Sequence, residues 1–158
     1  MFYTVLKTLH LLSVIVWIGG MVFAQFFLRP AVASLPPPDR VRLMHAILGR
    51  FFNAVSLVAV IAVATGGWMI GRSARQMAQS GVKFNMPLEW MVMALLGLVM
   101  LAVFGYLRLV LYKRLTRAVA AAAWPVGGAA LASIRIWVMV NLVIGVVIVL
   151  VTLLGALS

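Results

Sequence analysis

The chain has 158 residues, of which 66% are hydrophobic and 9% charged, with a formal net charge of +11. This composition is typical of an integral membrane protein, and the absence of cysteine excludes disulfides, thiolate catalysis and cysteine-based zinc sites. The basic residues lie in the gaps between long apolar runs, which favours loop charges that orient a membrane protein over nucleic-acid binding.

Four segments reach the roughly 20 mostly apolar residues that a membrane-spanning helix needs. They cover about 3–28, 51–71, 88–112 and 136–157. We therefore predict an all-α integral membrane protein, an antiparallel bundle of four transmembrane helices that forms a single domain over residues 1–158. The second helix should begin near Arg40, after the break at Pro36-Pro37-Pro38 and with Asp39 as its N-cap. Pro125 and the glycines after it interrupt the chain before the fourth span.

Lysine and arginine are more numerous beside the first and third gaps than on the other side. The positive-inside rule places the richer side in the cytoplasm, so both termini and the second gap should face outward. We expect a multi-pass protein of a bacterial-type inner membrane, with the lipid bilayer as its surroundings and no nucleic-acid partner. Arg29, Arg50, Arg108 and Arg135 fit anchors to lipid phosphate or, alternatively, to a carboxylate such as a haem propionate.

The strongly polar side chains in the apolar run of the first helix share one face, together with apolar neighbours. Lys7, His10, Val14, Trp17, Met21 and Gln25 fall within an arc of about 80° at 100° per residue. The fourth helix has a similar face with Asn141, Gly145 and Thr152. Because polar groups that face lipid are costly, these faces should point into the bundle. His10 could then pack as a hydrogen-bonded histidine, bind copper or haem iron, or relay protons.

Glu89 is the only glutamate and should lie at the same depth as Lys7 and His10. One interpretation is an exposed acid at a helix N-terminus, favoured by the helix dipole or paired with Lys83. The other is an ion pair or supporting contact with Lys7 and His10.

Methionines surround the outward gap. Five of the chain's ten lie there, at Met69, Met77, Met86, Met91 and Met93. Thioethers are soft ligands that suit Cu(I), although methionine is also a common filler of membrane helices. The predicted metal ligands are His10, Met69, Met86 and Met93.

The first helix, KTLHLLSVIVWIGGMVFAQFFLRPAV, resembles the membrane region of the copper resistance protein D (CopD) family. It also resembles HemJ-type protoporphyrinogen oxidases, which bind haem and share a Lys-x-x-His-x6-Trp-x-[Ala/Gly]-Gly pattern. That pattern is matched by Lys7, His10, Trp17, Gly19 and Gly20. The resemblance implies a ligand or redox role for His10, with Lys7 and Trp17 beside the cofactor. It assigns no role to His45, and the further histidine expected near Tyr106 is absent.

Three functions follow from these observations. The first is a CopD-like protein that handles copper, as Cu(I), at or across the membrane. The second is a haem b protein of membrane redox chemistry, such as porphyrinogen oxidation, with His10 as axial ligand. The third is a small subunit without a ligand of its own, which packs against a larger membrane partner. A homo-oligomer is a separate possible association, and a stable one would count against this third function. Whether the protein is an enzyme stays open between them.

Overall fold

The computed structural model describes residues 1–81 and 86–155, and every regular element in these ranges is helical. Four long helices follow one another: α1 (Phe2–Ala31), α2 (Pro37–Gln79), α3 (Leu88–Ala120) and α4 (Trp124–Gly155). Each is long and apolar enough to cross a membrane, which confirms the predicted fold class. Lys83, a predicted partner of Glu89, and the last residues of the fourth predicted span lie outside the described residues.

All four helices are longer than the predicted spans. The largest difference is in α2, whose 43 residues correspond to about 65 Å at a rise of about 1.5 Å per residue. That is about twice the thickness of the hydrocarbon core, roughly 30 Å. α2 therefore projects well beyond the membrane, as its unbroken helical pattern before the apolar run predicted.

The predicted cap of α2 is wrong by three residues. Pro36 is the N-cap, with φ −52° and ψ 145°, and Asp39 lies inside the first turn. Proline has a φ angle that suits the helix and lacks an N–H, and the first turn leaves its N–H groups unpaired in any case. Pro37 and Pro38 therefore begin the helix where the sequence indicated a break. Asp39 still lies where the helix dipole favours an acid.

Two segments deviate from α-helical geometry without ending their helices. Residues Phe23–Leu28 of α1 and Leu107–Leu111 of α3 are π-helical. Both lie at the end of the bundle that contains Arg29 and Arg108. A π turn rotates the following residues around the helix axis, so it changes which side chains face the neighbouring helices.

Neighbouring helices run antiparallel, as the pairing of their residues shows. His10 of α1 contacts Thr65 of α2, whereas Gly20 lies against Phe51, earlier in α2. Tyr106 of α3 contacts Trp137 of α4. Along their lengths α1 packs mainly on α2, and α3 mainly on α4.

The apolar core occupies one half of the bundle. This core half comprises residues 17–32, 41–59, 100–118 and 127–145, and it contains all the buried apolar side chains that the structure describes. The other half, termed the His10 half, comprises residues 2–16, 60–79, 88–99 and 146–155. Within those ranges only Ser13, Thr65 and Gly66 are buried. The two helix pairs are thus joined firmly in the core half and loosely in the His10 half.

Candidate functional site

The imidazole of His10 lies between α1 and α2 and is held by α2. Its Nδ1 is 3.0 Å from the carbonyl oxygen of Ala62 and 3.2 Å from Oγ1 of Thr65. The hydroxyl of Thr65 donates in turn to the carbonyl oxygen of Ile61, at 2.6 Å. Thr65 is buried and His10 is half-buried, so these bonds lie largely out of water.

The partners of Nδ1 determine the tautomer of His10. The carbonyl of Ala62 can only accept a hydrogen bond, and the hydroxyl hydrogen of Thr65 is already directed at Ile61. Both partners therefore require a proton on Nδ1, and in the neutral ring Nε2 carries the lone pair. Nε2 forms no hydrogen bond with any described residue. A histidine that donates one N–H to a backbone carbonyl and leaves the other nitrogen free has the arrangement of a metal ligand.

Gly66 provides the space for this imidazole. A Cβ at Gly66 would lie 3.2 Å from Cε1 and 3.5 Å from Nδ1 of His10, so any side chain there would press on the ring. At the neighbouring Gly67 an added Cβ would have no described atom within 4 Å beyond its own stretch of helix. The close approach of α1 to α2 at His10 therefore depends on Gly66 specifically.

Lys7 and Trp17, the motif residues expected beside the cofactor with His10, make no contact with its imidazole. Lys7 is one turn earlier, exposed, and without a hydrogen bond or ion pair to any described residue. Trp17 is two turns later, in the core half, where it is 7% exposed. Its ring meets that of Phe104 edge to face at 5.7 Å. Trp17 thus joins α1 to α3 in the core.

The predicted methionine ligands are divided between the two helix pairs. Met69 is half-buried and lies one turn beyond Thr65, on the face of α2 that holds His10. Met86 is half-buried just before α3 and Met93 is half-buried in its second turn, and α3 packs mainly on α4. Met69 is therefore the predicted thioether whose helix position is closest to His10. The described residues contain no group of three or more His, Cys, Asp or Glu side chains that could hold a metal ion.

Glu89 lies against the end of α4. An added Cβ at Gly155 would be 2.9 Å from Cβ and 3.2 Å from Cγ of Glu89, so the two helices touch there. Within the described ranges, no hydrogen bond or ion pair joins Glu89 to Lys7 or His10. The carboxylate occupies the first turn of α3, the position in which the helix dipole favours an acid.

His45 belongs to the opposite end of the bundle. Its Nε2 is 3.0 Å from Oγ1 of Thr116, and its ring stacks on that of Tyr112 at 5.1 Å. The Tyr112 hydroxyl donates to the backbone carbonyl of His45 at 3.3 Å. These contacts join α2 to the end of α3, so the two histidines cannot share one metal ion.

Two features of the interior were not predictable from the sequence: the partners that hold His10 and the unpaired state of the Asn141 amide. Thr65 and the Ala62 carbonyl, which hold His10, carry no signal in the sequence beyond the small residues around Gly66. Asn141 was recognised as part of a polar face. In the structure it is 1% exposed, and neither Oδ1 nor Nδ2 has a hydrogen-bond partner among residues 1–81 and 86–155. Such an unpaired buried amide is unusual in a folded protein.

A family model of copper resistance protein D matches residues 45–154, more than two thirds of the chain. The matched region contains Thr65, Gly66 and the predicted methionines, but it begins after the first-helix motif. The resemblance to HemJ-type proteins, which rests on that motif, is therefore not tested by this match. A comparison with curated proteins finds no match, and neither does a comparison with solved structures.

Proposed function

Because the chain belongs to the copper resistance protein D family, we propose that it handles copper at or across the membrane. In this proposal His10 is a Cu(I) ligand through Nε2, and methionine thioethers supply the remaining ligands. Met69 is the first of these, with Met86 and Met93 completing the set when α3 approaches α2.

The observation that carries the proposal is the fixed tautomer of His10. Its Nδ1 proton is directed at the Ala62 carbonyl at 3.0 Å, which leaves the Nε2 lone pair unused. A second-sphere hydrogen bond of this kind orients the ring and strengthens the nitrogen as a donor. An imidazole kept only for helix packing would not require the other nitrogen to remain unpartnered.

The available donors favour Cu(I) over harder ions. Zinc, calcium and magnesium sites need several His, Cys or carboxylate ligands, and the described residues bring no three of these together. One imidazole with thioethers is a soft donor set, and soft ligands select Cu(I). The predicted thioether ligands are only half-buried, at Met69, Met86 and Met93. Because they are not locked in a packed core, the helices that carry them have room to adjust around an ion.

An aromatic layer lies below the site. The ring of Phe104 contacts those of Trp17 and Phe52 edge to face, at 5.7 Å and 5.9 Å. All three are buried in the core half. Copper bound at His10 would therefore be captured at the His10 side, and passage across the membrane would require this layer to open.

The proposal is tested by anaerobic Cu(I) titration of detergent-purified protein against a chromogenic chelator. We expect His10→Ala to weaken Cu(I) binding by about tenfold or more, because it removes the strongest donor. A tenfold loss of affinity corresponds to about 1.4 kcal/mol of binding free energy. Thr65→Val should weaken it less, since it removes one partner of Nδ1. His45→Ala is the matched control and should bind like the unmodified protein. Cu(I) affinity no greater than that of a variant with Met69, Met86 and Met93 changed to leucine would contradict the proposal.

Haem b binding is the alternative that the same lone pair supports, with Nε2 of His10 as axial ligand. Arg29 lies about 28 Å along α1 from His10 at a rise of about 1.5 Å per residue, so the arginines of the core half cannot hold the propionates of such a haem. Lys7 is the cation of α1 in the His10 half. An absorption spectrum of the purified protein, oxidised and then reduced, tests this alternative. A Soret band that His10→Ala removes would favour haem, and colourless protein that does not bind added haemin would exclude it.

The loose packing of the His10 half supports a third proposal, a small subunit that packs against a larger membrane protein. Exposed apolar side chains in this half include Leu9, Val60 and Leu95. Purification in mild detergent distinguishes the cases. Co-purification of one larger membrane protein at a fixed ratio would favour the subunit role, whereas a stable monomer that binds Cu(I) would exclude it.

A further inference from the structure

A cavity of about 470 Å³ opens at the end of the bundle opposite His10. It lies between the end of α1, the first two turns of α2 and the first half of α4. Its polar wall consists of Gln25, Arg29, Arg40 and Arg135. Its volume is within the range of about 300–1,000 Å³ that ligand pockets occupy.

The polar wall carries three positive charges that no acid balances. None of the residues that line the cavity is Asp or Glu. The guanidinium groups of Arg29 and Arg135 are close enough to repel each other. The side chains of Arg40 and Arg135 form no hydrogen bond with the described residues. Bringing like charges together without a counterion is unfavourable, so the wall is suited to an anion.

Two hydrogen bonds hold the wall in place. Arg29 donates from Nη2 to the carbonyl oxygen of Leu131 at 2.7 Å, and the remaining donors of its guanidinium stay available. Gln25, buried in the core half, donates from Nε2 to the carbonyl oxygen of Arg135 at 3.2 Å. Both bonds tie α1 to α4. The two bonds thus fix the Arg29 side chain and the backbone of the wall at Arg135.

Two other arginines of this end are engaged elsewhere. Arg108 donates to Oδ1 of Asn53 and lies over the ring of Tyr112 at 5.5 Å. Arg42 lies over the ring of Trp124 at 4.8 Å. The sequence grouped Arg29 and Arg135 with Arg108, whereas the structure joins them to Arg40.

We propose that this cavity binds the phosphate group of an anionic phospholipid. The planar guanidinium offers paired donors that match phosphate oxygens, and three of them suit a headgroup with more than one negative charge. The rest of the wall is apolar, with Pro30, Val32, Met44 and Leu131. A free phosphate ion would make no use of such a wall, whereas the glycerol and upper acyl chains of a lipid would. The pocket also lies at the end of a membrane span, where headgroups are found.

The test is native mass spectrometry of the full-length protein, purified in detergent and titrated with phosphatidylglycerol, cardiolipin or phosphatidylcholine. We expect the anionic lipids to bind and Arg40→Gln and Arg135→Gln each to weaken that binding by about tenfold, since each removes a charge-assisted hydrogen-bond donor. Arg114→Gln and Arg117→Gln are the matched controls. They remove the same charge from exposed positions at the same end of the bundle, outside the cavity.

Inorganic phosphate added in competition distinguishes the two sources of the ligand. If millimolar phosphate does not displace the lipid, the ligand is a lipid headgroup. If phosphate displaces the lipid when the two are at equal concentrations, the proposal is overturned in favour of a soluble anion. Equal lipid binding by pocket and control variants would overturn the pocket itself. Arg29→Gln is not needed, because loss of its bond to Leu131 could disturb folding. The outcome is independent of Cu(I) binding, since the cavity lies at the far end of the bundle from His10.

Discussion

The adjacent glycines at the start of α4 allow a stringent test of the packing at the end of the bundle that carries the cavity. An added Cβ at Gly127 would lie 2.8 Å from Cγ1 of Val41 and 3.8 Å from Cβ of Ala118. At Gly128 an added Cβ would meet none of the described residues within 4 Å, apart from its own stretch of helix. Val41 is 1% exposed and its branched side chain has little rotamer freedom, so it cannot move aside cheaply.

Gly127→Ala should therefore destabilise the protein and Gly128→Ala should not. Overpacking of a core costs roughly 1–3 kcal/mol, whereas replacement of glycine by alanine in a helix gains about 0.5–1 kcal/mol. Both variants include the helix gain. The difference in their free energies of unfolding thus measures the clash alone, and we expect it to be about 1–3 kcal/mol.

The measurement is reversible unfolding in mixed detergent micelles, with the helix content as the signal. Val41→Ala combined with each glycine variant completes a double-mutant cycle, and it should restore stability only beside Gly127→Ala. Equal stabilities for the two glycine variants, or no coupling to Val41, would refute the close packing of α4 on α2 at this position.

Three further predictions address the interior, the site and the orientation. Asn141→Leu should raise the free energy of unfolding by roughly 1–3 kcal/mol, because it removes an unpaired buried amide; a loss of stability would mean that Asn141 has a bound partner. Gly66→Ala should weaken Cu(I) binding by displacing His10, and Gly67→Ala should not; equal affinities would contradict the contact between the ring and α2. The excess of basic residues beside the first and third gaps predicts that both termini face outward. If a reporter that works only in the cytoplasm is active when fused to the C-terminus, the assignment is reversed.

The number, order and type of the helices could be predicted from the sequence because the signal is local. A span in a membrane must be apolar over about 20 residues, and each run shows this without reference to its neighbours. Helix ends were less predictable. The proline triplet predicted a break in the chain, yet Pro37 and Pro38 lie in the first turn of α2, where a missing N–H costs nothing.

The candidate site was only half predictable. The polar face of α1 singled out His10, because periodicity alone places it with other polar residues. The hydrogen bonds that determine its tautomer come from Ala62 and Thr65, more than 50 residues away, so no local pattern contains them. The same limit applies to the arginine cavity, which takes its residues from three helices.

What the sequence determined by itself was thus a four-helix membrane protein with a histidine directed to its interior, since hydropathy and helical period are properties of single segments. Only the tertiary structure decided which residues meet. It places Trp17 in the core and not beside His10, sets Glu89 against Gly155, and groups Arg40 with Arg29 and Arg135. Such meetings depend on the rotation and depth of each helix relative to its neighbours. Those are set by close contacts at residues such as Gly66 and Gly127, not by the hydropathy of any one segment.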